Sequence, residues 1–162
     1  MAKYACFRSD NMSGTTLGKN LVAIKYRPDG DDVAIENGNI VAVGGFIAGE
    51  QDVRVGTTPA EDTPLKDLAV MGAPEVDKTK DYNTVDEFVN KAGVAARAYR
   101  LVSHDQYSVT AEALNADDEI AVGDVVEAQA STKASVVKAA TGATVIGHVI
   151  AIEGEWIVIE VA

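Results

Sequence analysis

The last third of the chain is cut into short apolar, β-branched runs by glycine-bearing turns, and this most limits what it can fold into. Residues 145–152 and 156–161 are two such runs, separated by the tight-turn sequence Glu153-Gly154-Glu155. Upstream, Tyr107-Ser108-Val109-Thr110 alternates in polarity, and Val122-Gly123-Asp124 turns the chain. Residues 125–130 and 134–138 continue extended. Runs of this length and composition between turns read as strands. So many in series predict a mainly β protein, an antiparallel barrel or sandwich.

The first half carries the same signals more sparsely. Residues 21–24 form a short apolar strand that stops at Pro28-Asp29-Gly30. Asn37-Gly38 lies between the apolar runs 33–36 and 39–43, the strongest local signal for a two-residue hairpin. Gly44-Gly45 is expected to break the second strand, with another over 46–55 bulged at Gly49. Residues 57–63 read as loop, and 68–71 as a buried strand ended by Pro74. One short helix is expected near 85–92, with Thr84 as cap, Asp86 and Glu87 in the first turn, and Gly93 as terminator. Residues 1–20, polar and aperiodic from Ser9 on, are expected to form an extended basic N-terminal arm. Residues 21–162 then form a compact β-rich body, divisible into lobes over about 21–80 and 94–162.

Charge sharpens that division. With 14 basic and 25 acidic side chains the chain carries −11, which argues against nucleic acid as a direct partner. Residues 1–30 nevertheless hold five basic and two acidic residues, a net +3, so the remainder carries −14. The single cysteine, Cys6, makes no internal disulfide. No secretory h-region and no membrane-length apolar run is evident, so the expectation is a soluble intracellular product or a particle component assembled inside a cell.

The remaining motifs fail on geometry. Gly14 and Gly18 are separated by three residues and Lys19 is followed by Asn20, whereas a phosphate-binding loop needs four residues and then Ser or Thr. Ser103-His104-Asp105 holds the residue types of a hydrolase triad, but adjacent side chains in an extended chain point apart. His104 and His148 lack metal-ligand spacing. Asp29-Gly30-Asp31-Asp32 and Asp117-Asp118-Glu119 lack the calcium-loop pattern. The expectation is therefore no enzyme, no catalytic residues, no metal and no cofactor. A binding or structural role remains.

A resemblance gives that role a form. In order, the chain shows Glu36-Asn37-Gly38, Pro74-Glu75-Val76, Asp86-Glu87-Phe88, and Ala92-Gly93 with Ala96-Arg97 and Arg100-Leu101. Then follow Asp105-x-Tyr107-Ser108-Val109-Thr110 and Val122-Gly123-Asp124. Over residues 33–162 this resembles the capsid decoration, or cement, proteins of tailed bacteriophages. The resemblance implies a cofactor-free virion protein on the capsid surface, whose partner is the major capsid protein and which forms a homo-oligomer, often a trimer. Another virion component, such as a tail-tube, head–tail joining or minor shell protein, is the alternative. Lys3, Arg8 and Lys19 of the arm and Trp156 near the C-terminal end are the candidate partner-binding residues.

Overall fold

A computed structural model describes residues 4–80 and 84–162. Among them are twelve strands: β1 (Phe7–Asn11), β2 (Leu21–Tyr26), β3 (Ile40–Phe46), β4 (Val53–Thr57), β5 (Leu68–Met71) and β6 (Ala96–Arg100). The second half contributes β7 (Gln106–Val109), β8 (Leu114–Ala116), β9 (Val125–Gln129), β10 (Ser131–Val137), β11 (Val145–Glu153) and β12 (Trp156–Val161). The protein is mainly β, as expected. Strands β2-β4-β3-β5-β6 close into a five-stranded barrel, sealed by β6 against β2. The other seven form an open sheet in the order β1-β7-β12-β11-β9-β10-β8. Pairing is antiparallel except at β2–β4 and β10–β8, which run parallel.

The two-residue period sets which side is buried. In β12, Ile157, Ile159 and Val161 enter the core, while Trp156 and Glu160 stay partly exposed. A small core of Ile24, Val41, Ala69, Met71 and Ala98 fills the barrel. A larger one joins barrel to sheet, packing Ile40, Leu68, Val70 and Tyr99 with Tyr107, Val109, Val126, Ile146 and Ile159. Strand β6 closes the barrel begun by β2–β5, and β1 completes the sheet of β7–β12.

That last pairing corrects the expected arm. Residues 7–11 are extended but not free. They pair antiparallel with β7, in a register that sets Phe7 opposite Val109. Ala5, Cys6, Phe7 and Met12 are buried, and the Phe7 ring lies 5.3 Å from Tyr99 and 6.1 Å from Tyr107. Ser13 donates through both its N–H and its hydroxyl to the buried Asp105 carboxylate, at 3.0 and 2.7 Å. Burial of an aromatic outweighs the polarity of its neighbours.

Three further expectations fail. The helix near 85–92 is a single 3₁₀ turn, Val85–Glu87, and Thr84 makes no side-chain cap. Asn90 is instead drawn into a bridge with Ile35, each accepting the other's N–H at 2.9–3.0 Å. The Asn37-Gly38 turn does not join two paired strands: β3 pairs with β4 and β5 instead. Asn37 is needed elsewhere, since its amide donates to the Ala73 carbonyl and accepts from the Ala73 N–H and from Asn90 Nδ2. Gly44-Gly45 leaves β3 unbroken, the register shift between Val43 and Phe46 absorbing them, and Gly49 lies in the turn to β4.

Two loop carboxylates make the fold sensitive to acid. Thr79 donates to Asp77 through its hydroxyl and its N–H, and Lys91 adds an ion pair, holding Asp77 at about 2. Asp124 is likewise held below the ordinary carboxylate range, first by Lys138 and then by the Ala121 N–H. A carboxylate with a depressed folded pKa stabilises the fold above its unfolded pKa, and the gain is lost as pH falls through the folded value. Stability from urea titrations should therefore be flat from neutral to about pH 5 and fall between about pH 4 and 2. Asp77→Asn and Asp124→Asn should each flatten that acid limb.

Candidate functional site

Two surfaces collect the chemistry suited to a partner. The first is the outer face of the seven-stranded sheet. Arg8, Ser108 and Val158 lie side by side across β1, β7 and β12, and Trp156 follows two residues before Val158 on the same face. The Arg8 guanidinium lies over the Trp156 ring, 5.0 Å from its centroid. It pairs with Asp10, donates to Glu153 at 3.0 Å and to Ser108 Oγ at 3.2 Å. The Ser108 hydroxyl in turn donates to Asp10. Gln106 Nε2 donates to Glu160 at 3.0 Å farther along the same face. The hydrogen bonds that Arg8 donates, to Asp10 foremost and then to Glu153, push its pKa up. The result is a fixed Trp–Arg platform on a sheet face.

The second surface is a groove of about 520 Å³ on the barrel wall. Its floor includes the small side chains Ala23 and Ala95, and its rim carries Lys19, Arg54, Arg97 and Arg100 with one carboxylate, Asp52. Register explains the assembly: Ala23 of β2 lies between Val53 of β4 and Arg97 of β6. Arg97 points out because Ala96 and Ala98 point into the barrel core. Arg54 donates to the Gly44 carbonyl at 3.1 Å and stacks 4.0 Å above Phe46, which is 58% exposed. Among the described residues, none of the four rim cations has an ion pair within 4.0 Å.

The structure thus joins two of the sequence candidates, Arg8 and Trp156, and sets Lys19 apart on the barrel groove. Lys3 lies outside the described residues. No family model matches this chain, and no curated protein and no solved structure shows significant similarity to it. The other motifs occupy structural positions. His104 is exposed in a turn with φ 70°, and its neighbour Asp105 is buried against Ser13. Among the described residues no group of His, Cys, Asp and Glu is arranged to hold a metal ion, and no helix is long and apolar enough to cross a membrane. Cys6 is buried, and that burial foremost, with Asp86 next, pushes its thiol up to about 11. It is protonated at neutral pH and so a poor nucleophile.

Arg54, Arg97 and Arg100 escape the reading by sequence because they stand on two strands spread over nearly fifty positions. One signal was present. In Ala96-Arg97-Ala98 a basic residue stands between two small apolar ones, the alternation of a strand that turns Arg97 outward.

Proposed function

We propose that the protein is a virion structural protein that binds the outside of a phage capsid and stabilises contacts between capsid subunits. Support comes from the resemblance of residues 33–162 to decoration proteins and, in the structure, from the Arg8–Trp156 platform. Tryptophan and arginine are enriched among the few residues that dominate protein–protein binding energy. Here both are held in place before any partner arrives, since Asp10, Ser108 and Glu153 fix the guanidinium over the ring. Preorganisation lowers the entropy lost on docking. In this reading the outer sheet face lies on the major capsid protein, and the oligomer, a trimer by the resemblance, presents several such faces at once.

Co-sedimentation with purified, matched capsid shells tests it. The wild-type chain should pellet with shells, and Trp156→Ala should weaken the association about tenfold or more. Circular dichroism should report the same β content for both. Failure of the wild-type protein to bind either expanded or unexpanded shells would sink the reading.

A further inference from the structure

We infer that the cationic groove of the barrel receives the acidic loop Asp117-Asp118-Glu119 of a second copy of this chain, making a head-to-tail contact between copies. The groove carries four cations and one carboxylate, 4 − 1 = +3, on a chain whose total is −11. The loop that leaves β8 supplies the complement. Residues 115–119 are all exposed, Asp117, Asp118 and Glu119 contribute −3, and among the described residues none of their carboxylates has an ion pair.

The match extends beyond charge. Val122, just past the acidic run, is 63% exposed, and Phe46 at the groove's lip is 58% exposed. Each is an apolar side chain beside a charged cluster of opposite sign. The acidic turn Asp29–Asp32 is a poorer fit because Asp32 is already paired with Arg27. Asp117 and Asp118 line a separate hollow with Asp124 and Lys138, and no hydrogen bond or ion pair joins them to the groove. The two surfaces therefore meet between chains. A nucleic acid is disfavoured, since a strand longer than the groove would run onto acidic surface and be repelled.

The two halves of this contact are different patches, so the interface is heterologous and propagates into a ring or a filament. It involves neither Arg8 nor Trp156 and does not rest on the capsid reading. Sedimentation velocity at about 50 mM and about 500 mM salt tests it, with association expected in the first and weakened about tenfold or more in the second. Arg97→Glu with Arg100→Glu should give monomers, as should Asp117→Lys with Asp118→Lys, each with unchanged far-UV circular dichroism. Mixing the two variants should restore association, because the unaltered basic groove of the loop variant then meets the unaltered acidic loop of the groove variant. A wild-type chain that stays monomeric at low salt overturns the inference. So does a mixture that fails to associate, or a monomer whose groove instead binds a short DNA duplex.

Discussion

Replacing Gly147 by alanine should cost about 3 kcal/mol or more, a larger effect than one added methyl has at most surface positions. Gly147 lies in β11 opposite Val161 of β12, next to the register shift between β11 and β9. A Cβ built there would sit 2.1 Å from the Glu160 carbonyl oxygen and 2.9 Å from its carbon. Both are backbone atoms, so no side chain can turn aside to make room. Relief requires moving β12 away from β11, at the centre of the seven-stranded sheet. For a chain of this size the melting temperature should drop by roughly 6–12 °C. Gly45→Ala is the matched control. Its added Cβ meets nothing within 4 Å, and it should change stability by less than about 0.5 kcal/mol. Equal melting temperatures for the two variants would refute the close-approach explanation.

Asn37→Ala should cost about 2–3 kcal/mol through loss of polar pairing. Asn37 is 1% exposed and ties three segments together. Its Nδ2 donates to the Ala73 carbonyl at 2.9 Å, and its Oδ1 accepts from the Ala73 N–H and from Asn90 Nδ2, both at 3.0 Å. Truncation leaves the half-buried Ala73 N–H without its acceptor and the buried Asn90 amide with only the Ile35 carbonyl, which is more costly than never having placed these donors there. Urea titration should show a lower midpoint with an unchanged slope, since the surface exposed on unfolding is the same. Amide exchange at Ala73 should accelerate beyond the global change. If it does not, the clamp is not local to this turn. Asn37→Asp should be no better, because it removes the donor to Ala73 and adds a buried charge.

This clamp also shows where local reading ends. Asn-Gly carries a local preference for positive φ, and Gly38 does adopt φ 81°. What the residues beside it pair with is set from a distance. Gly38 is also pinned sterically, since a Cβ would lie 3.0 Å from Val109 and 3.1 Å from the Cys6 carbonyl oxygen. The final strands β9 to β12 were legible because period and turn agreed within a few residues. The parallel pairs, the closure of the barrel and the cationic groove were not, because each depends on strands far apart in sequence. Thr84, Asp86 and Glu87 carry real helix-start preference, but without a continuous apolar stripe no surface repays the helix for forming. Arg8 and Trp156 were identifiable one by one as residue types. Their contact required knowing that β1 and β12 flank β7.

The position of β1 has a consequence for how the molecule assembles in time. The Cys6 N–H donates to Thr110 Oγ1 across 104 positions of sequence, and Arg8 reaches Glu153 across 145. On a ribosome Cys6 must wait until residue 110 is made, and Arg8 until residue 153, before these partners exist. The barrel of residues 21–100 can close while the last sixty are still being made, leaving Phe7 without its slot against Tyr107. Pairings of such long range are slow to form. Docking of β1 is thus the expected final event of folding, and the Arg8–Trp156 platform exists only once it is complete.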